Sequence, residues 1–577
     1  MEKELTQFIR NNKISLFEPN TLNKESKEEN IFKTNDAKSI YKKVITNICG
    51  NFCFDNTSNI LKFFSITTNP ETIKSRQEFF KTIPKNLDNS FLKQISKPKP
   101  FWKPKYDILV VTENESTFLL LKNLNCPVQY LTSPHDVSEL EKYEIVQIID
   151  CEEFERVLEN LPQSIFLKSM DEVYLERYVE ILSGWKKNIE LLQKNAENLS
   201  PETNKIILEF SKLLCLLEDP QSKIITRAQA EDALEKINES ISEKIKEITV
   251  SGDSLFKMLS KGKFSPEIEQ IVEKEIEKTS FPEEIFTKSI PVQIDEPEFE
   301  NITKRQSSDE FTNTALAIKK YSNELKELPK NLKELSNHLL ILDFKAGISK
   351  FIKNSENFPT ISAKMAMTNS QNLFLNQAQP ITFHLDEKDK CSILTGANSG
   401  GKTTLLEHIL QLISLFQIGL PVSGTLETPL FSEIYYFAKN KGAANKGAFE
   451  NLLTQLSKIQ PGKQTLILAD EIESVTEPGV AGNIIKATAE YFASKGCYLV
   501  IATHLGKHIN ENLPQSSRID GIEAKGLDET FNLIVNHNPV LGKLANSTPE
   551  LIIERMSKSN KDIDFFKYLY ESMKKEK

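Results

Sequence analysis

The sequence predicts a multidomain protein of mixed α and α/β class, with a helical core bearing long lever helices and a separate α/β domain built round a glycine-rich loop. Three observations predict it. Residues 392–410 read as an apolar run, a tight glycine turn and an apolar-periodic helix. Two more buried-strand runs, Thr465 to Ala469 and Tyr498 to Thr503, end on ionisable residues, Asp470-Glu471 and His504. Residues 166–352 instead keep apolar positions at three- and four-residue spacing among Lys and Glu, the pattern of long amphipathic helices. A chain of 577 residues exceeds what one core holds, so about three or four domains are expected.

In chain order, residues 1–36 form a polar, Asn- and Lys-rich N-terminal segment, read as a short helix and a loose stretch. Residues 37–104 begin the helical core, with Ile40, Val44, Ile45 and Ile48 on one helix face, and end in a Pro/Lys linker around Trp102. Residues 105–165 alternate short strands (Asp107 to Val111, Pro127 to Leu131, Ile145 to Ile149) with a helix through Phe118 to Leu121, a small α/β module. Residues 166–352 carry the lever or clamp helices, interrupted at Val250 to Asp253 and by the proline-bearing stretch Phe281 to Phe299, with helix resuming near Ser308. A compact helical bundle is the competing reading of this region. Residues 353–545 switch to α/β, and residues 546–577 read as a pair of terminal helices.

The loop Gly396-Ala397-Asn398-Ser399-Gly400-Gly401-Lys402-Thr403 has the G-x-x-x-x-G-K-[ST] spacing, lies after a strand and opens a helix through Thr404. Glycines let backbone N–H groups crowd a phosphate, and the helix N-terminus adds its positive dipole end. On this reading the domain is a P-loop (ABC-type) α/β ATPase domain that binds ATP with Mg²⁺. Lys402 reaches the outer phosphates, and Thr403 and Asp470 hold the metal. Glu471 orients or deprotonates the attacking water, and His504 senses the terminal phosphate. A lone histidine is more often structural. As the third member of a strand-end series, His504 reads as the sensor.

Lys and Arg number 72 against 81 Asp and Glu, a net charge of −9, which excludes an indiscriminate polycation but not a local basic face. The seven cysteines form no CxxC pair and suit no zinc site, so structural thiols in a reducing cytoplasm are expected. The sequence has no signal-peptide core at Met1 to Leu5 and no apolar run of about eighteen residues, so no membrane span is expected.

Several segments together resemble the MutS family of DNA-repair ATPases. Ile393 to Thr404 resembles that family's phosphate loop, with Asn398 ahead of Ser399 and the glycine pair. Gly419 to Val422 and Ile434 to Phe437 resemble its next stretch, and Asp470 to Ile472, Thr476 to Pro478 and Ala502 to His504 resemble its hydrolysis and partner-contact segments. Asn372 to Asn376 resembles the segment that stacks on adenine, which nominates Phe374. Outside the motor, Asn69 to Gln77 and Leu340 to Phe344 resemble the start and the final helix of the family's core. The resemblance is specific in 360–545 and absent in 105–165. It implies a homodimer joined through the ATPase domain, with composite sites and DNA between the levers. No mismatch-reading wedge precedes the core and no nuclease module is evident after the motor, so a short member of the family is expected. Gly447 stands where the family's trans-acting signature usually offers Ser, which bears on whether hydrolysis is activated across the dimer.

The expected function is an ATP-dependent clamp on branched, mismatched or damaged DNA. Lys257, Lys261 and Lys263, or Lys97, Lys99, Lys103 and Lys105, are the basic groups that would meet its backbone; a solvated surface is the ordinary reading of either group. The alternatives are an ABC-type protein-remodelling or scaffold subunit without DNA, and a nucleotide-binding structural protein without turnover.

Overall fold

The computed structural model describes the chain except residues 19–28, 99–106, 124–125, 169, 171–172, 174–175, 218–223, 250–251, 253–259, 261–263, 397–400, 440–445, 472–477, 511–512, 528–532, 546–548, 560–562 and 576–577. It is a mixed α and α/β structure that divides into two compact units, residues 1–94 with 336–577, and residues 95–335. Ala397 to Gly400 of the glycine-rich loop fall outside the described residues, as do Lys257, Lys261, Lys263, Lys99, Lys103 and Lys105.

The unit of residues 95–335 holds a four-stranded parallel sheet in the order β2-β1-β3-β4, from β1 (Ile108–Thr112), β2 (Val128–Tyr130), β3 (Ile145–Ile148) and β4 (Ser164–Phe166). Strand β1 is buried along its whole length, and its alternating side chains feed two clusters, Ile108 and Val110 on one face, Leu109 and Val111 on the other. Helices follow at Glu176–Lys194, Pro201–Leu213, Arg227–Ile245, Pro266–Glu277 and Glu296–Lys320. The last of these starts about twelve residues before the sequence reading puts it. Pro297 falls in its first turn, where a missing N–H costs nothing, and the Asp295 side chain accepts from Glu298 N.

In the same unit Ala230, Ile237, Ile241, Val272, Ile276 and Phe286 pack into one cluster beside a buried carboxylate, Glu275. That carboxylate accepts hydrogen bonds from Ser240 Oγ at 2.7 Å and Lys278 Nζ at 2.6 Å, and from Lys244 Nζ. Burial pushes its pKa up, but the two ammonium groups and the hydroxyl pull harder, from 4.5 to about 2.

The unit of residues 1–94 and 336–577 is built round a six-stranded sheet. Its strands are β8 (Cys391–Gly396), β10 (Glu433–Phe437), β11 (Thr465–Asp470), β12 (Tyr498–Ala502), β13 (Ser517–Leu527) and β14 (Leu533–Leu541). The order is β10-β11-β12-β8-β13-β14, parallel except for the edge strand β14. A second sheet has the order β5-β9-β6-β7, from β5 (Thr360–Ile361), β6 (Met365–Ser370), β7 (Ile381–Leu385) and β9 (Thr425–Thr428). Strands β11 and β12 are continuous apolar runs buried throughout, and the helix Pro478–Ser494 packs Ile485, Ala489 and Phe492 onto them.

The N-terminal stretch is tied to this sheet. Ile434 N donates to Ile31 O at 2.8 Å, Lys33 N donates to Ile434 O at 2.9 Å, and Thr34 exchanges hydrogen bonds with the Tyr436 backbone. Residues 31–34 therefore cover the free edge of β10. The helix Pro70–Lys81, capped by Asn69, sends the buried Arg76 guanidinium to Ser65 O, Phe63 O and Ile418 O, the last being the end of the helix Lys402–Ile418. A cation at a helix C-terminus meets the negative end of its dipole. Gly419, at φ +101°, leaves the room this needs, since a Cβ there would lie 2.7 Å from Arg76 Cβ. The fully buried Asp343 carboxylate accepts from Cys53 N, Phe54 N, Thr57 Oγ1 and Asn89 Nδ2, at 2.6 to 3.0 Å, and so pins two separate N-terminal segments, 53–57 and Asn89, to the helix Ser322–Phe351.

A carboxylate held below its free pKa stabilises the fold above the free value, and that contribution drains away as pH falls through the depressed one. Glu275→Gln should therefore lose roughly tenfold in amide-exchange protection of the helix Pro266–Glu277 at pH 7. The gap between variant and parent should close as pH falls from 4.5 to about 2. A gap that persists at low pH would contradict the ion-pair account.

Candidate functional site

The parallel register lines up the carboxyl ends of three strands. Asp470 of β11 stands opposite Ala502 of β12, and Ala502 stands opposite Leu394 of β8. Hydrogen bonds carry the alignment past the strand ends, from Glu471 N to Ala502 O and from Thr503 N to Leu394 O, both 2.9 Å. The residues that follow, from Thr395 on β8, Asp470-Glu471 on β11 and Thr503-His504 on β12, thus meet at one edge of the sheet.

Strand β8 ends on Gly396 at φ +138°, where a Cβ would strike Ile522 O at 2.5 Å, so this position requires glycine. Gly401, at φ +94°, precedes the helix Lys402–Ile418, and a Cβ there would lie 2.9 Å from His537 Nδ1. Lys402 is 3% exposed and donates its ammonium to Gly396 O at 2.6 Å. Thr403 Oγ1 donates to Asp470 Oδ2 at 2.5 Å. Asp470 is 2% exposed, and its other oxygen, Oδ1, finds no partner among the described residues. Burial pushes its carboxyl above the usual aspartate range, and the nearby Glu471 adds to the rise, against the Thr403 hydrogen bond and the Lys402 and Lys439 charges. A buried carboxylate oxygen without a donor, next to a threonine hydroxyl, is a donor set suited to a hard divalent cation such as Mg²⁺.

Glu471 sits at φ +47°, in the left-handed region unusual for a residue with a side chain. Its Oε1 lies 2.5 Å from His504 Nε2, and its Oε2 pairs with Lys439 Nζ. An ionised carboxylate only accepts, which assigns the proton to His504 Nε2. Burial raises the Glu471 pKa, but Lys439 and His504 hold it below the usual glutamate range.

The structure therefore brings Gly396, Gly401, Lys402, Thr403, Asp470, Glu471 and His504 to one edge. Thr404 lies in the first turn of the helix, and its carbonyl accepts from Asn372 Nδ2 at 3.4 Å. Phe374 is half-buried in the turn that follows; its N–H donates to Asn372 Oδ1 at 2.8 Å, and Gln411 holds both Leu373 N and Asn372. That ties the Phe374 turn to the helix behind the loop. The segment 473–477 lies outside the described residues, and Gly447 lies in the helix Lys446–Ser457.

Sequence reasoning missed four participants. Lys439 is the first charged residue past β10, so the strand-end logic that found Asp470 and His504 would have found it. Tyr436, 2% exposed, has a hydroxyl without a partner among the described residues, and burial, then Glu407 and Asp470, drive its phenol well above the ordinary range. No local signal marked Tyr436. His537 comes from the antiparallel edge strand and Gln411 from more than two turns deeper in the helix; only the fold brings them to their places.

No protein-family profile matches the chain. The chain is 31% identical to the DNA-binding protein MutS2 of Pyrococcus furiosus, over 91% of this chain and 96% of that protein. It is 31% identical to the endonuclease MutS2 of Solidesulfovibrio magneticus over 19% of this chain and 15% of that one. It is 29% identical to the endonuclease MutS2 of Borreliella burgdorferi over 30% of this chain and 23% of that one. Among the described residues no helix is long and apolar enough to cross a membrane.

An acid whose folded pKa is raised favours the fold below its free value and costs stability once pH passes the raised one. At pH 7, without metal, Asp470→Asn should therefore leave the thermal midpoint unchanged or higher, as replacement of buried charges often does. A clear fall in midpoint would mean that the carboxylate is already compensated by protein groups alone.

Proposed function

The chain belongs to the MutS family, and from that premise we propose that it is a DNA-binding ATPase, a homodimeric clamp that binds ATP with Mg²⁺ and acts on branched, mismatched or damaged DNA. The observation that carries the nucleotide part is the Thr403–Asp470 pair with the unpartnered Asp470 Oδ1, set beside a glycine turn and a buried lysine. Lys402, now on Gly396 O, would turn to the outer phosphates, while backbone N–H groups after Gly396 cradle them. Thr403 and Asp470 would hold the magnesium, which supplies charge neutralisation for the transferred phosphoryl group. Glu471 would orient the attacking water and accept its proton, and His504 would contact the terminal phosphate. Phe374 would lie against the adenine.

Support for the DNA part is the relative that matches along nearly its whole length, which carries the name DNA-binding protein. Lever movement would follow nucleotide binding through the helix Lys402–Ile418, whose end Arg76 grips from the helix Pro70–Lys81. The alternative of a remodelling or scaffold subunit without DNA would prevail if ATP turnover ignored every nucleic acid but answered to a protein partner.

Three measurements test the proposal. Mg²⁺–ATP should raise the thermal midpoint of the parent and not of Lys402→Ala, and Glu471→Gln should bind ATP while its turnover falls about 10²- to 10⁴-fold. A gel shift at low salt should retain branched DNA in preference to linear DNA and weaken steeply as salt rises. Lys402→Ala binding nucleotide as well as the parent, or no DNA retained with or without ATP, would sink the corresponding half.

A further inference from the structure

Beyond the strand ends a second constellation has no part in gripping magnesium. Lys439 lies two residues past the end of β10, Glu471 one past β11 and His504 two past β12, and the three strands are adjacent, parallel and in register. Glu471 is the central anion, with Lys439 on Oε2 and His504 Nε2 at 2.5 Å from Oε1. The members differ in freedom. The Glu471 side chain is 9% exposed and springs from a backbone fixed at φ +47°, whereas the Lys439 and His504 side chains are 47% and 34% exposed. The lysine charge rides on a flexible four-carbon stem. An anion that arrives here can take up the cations without moving the carboxylate.

We propose that Glu471 is an internal stand-in for the terminal phosphate of a nucleoside triphosphate, and that Lys439 passes from Glu471 to that phosphate on binding, so that Lys439 makes the site prefer triphosphate to diphosphate. The inference rests on the reading of the loop as a nucleotide site. Strand spacing sets which phosphate is meant. Neighbouring strands lie about 4.8 Å apart, so β10 stands about 14 Å from β8 along the order β10-β11-β12-β8. A phosphate cradled after Gly396 is beyond Lys439, and only the outermost group of a chain that runs from β8 toward β11 comes within reach of a lysine stem. The exchange breaks and forms no covalent bond. The Lys439 ammonium leaves one anion for another of higher charge, and the Glu471 carboxylate is released next to the phosphate that it then faces.

The test compares binding of Mg²⁺–ADP and of the non-hydrolysable β,γ-imido analogue of ATP to the full chain by calorimetry. Lys439→Met should bind ADP as the parent does and lose about tenfold or more of its preference for the triphosphate, and Lys439→Arg should restore most of it. Glu471→Gln, which removes the competing anion, should bind the triphosphate severalfold tighter than the parent with ADP unchanged. An unaltered preference in Lys439→Met, or triphosphate binding in Glu471→Gln no tighter than in the parent, overturns the proposal. A parent that binds neither nucleotide overturns the nucleotide reading on which it rests.

Discussion

Everything at the candidate site depends on one buried hydrogen bond, from the Thr403 hydroxyl to Asp470 Oδ2. It joins the first turn of a helix to the end of a strand two places away in the sheet, and leaves the other carboxylate oxygen without a donor. A carboxylate taken out of water and only half compensated is costly. The rise of its pKa expresses that cost. Such a group persists where a ligand completes it, and the surrounding fold holds it in readiness. The continuous apolar strands β11 and β12 fix its height, and Gly396 allows β8 to end at the same level without a clash against Ile522.

Other charges at this edge have protein partners. Lys402 donates to Gly396 O, Lys439 pairs with Glu471, and His504 Nε2 meets the other oxygen of that carboxylate. Each lysine thereby has a protein acceptor, which on the proposed reading it exchanges for phosphate oxygen. The same logic extends to the back of the helix Lys402–Ile418, where Arg76 is desolvated enough for its pKa to fall to about 10 yet grips three carbonyls. Front and back of one helix are thus both held by buried cations.

Much of this was legible because it is local. The G-x-x-x-x-G-K-[ST] spacing and the three apolar runs each lie within about twenty residues of sequence, and each has its own chemical signature. The helix face of Ile40, Val44 and Ile48 was readable for the same reason, and all three are buried. What stayed hidden is non-local. Residues 31–34 look like part of a polar tail, yet they cover β10, about four hundred positions further on, through backbone bonds of Ile31 and Lys33 and a single threonine hydroxyl, Thr34. Asp343 reads as one acid in an apolar helix, and only the fold reveals four donors around it. His537 comes beside Gly401 because β14 folds back beside β13, and Gln411 meets the Phe374 turn from the middle of its helix. Pro297 misled by its type, since proline breaks a helix interior but suits a first turn.

The backbone at Glu471 carries the last step. A residue with a side chain at φ +47° costs of order 1 kcal/mol, and persists only where its surroundings over-determine it. Here Glu471 N is held by Ala502 O and the carboxylate by Lys439 and His504, so three contacts from β10 and β12 impose the strain on the end of β11. Two of the three are side-chain contacts, which the proposed triphosphate would replace. The third, a ladder-like backbone bond, remains. Loss of those side-chain contacts alone leaves the backbone constrained and the side chain free to turn about its own torsions. The strain thus keeps Glu471 aimed at the site edge whichever partner it holds, which is the property a residue needs if it is to grip cations in one state and a water molecule in the next.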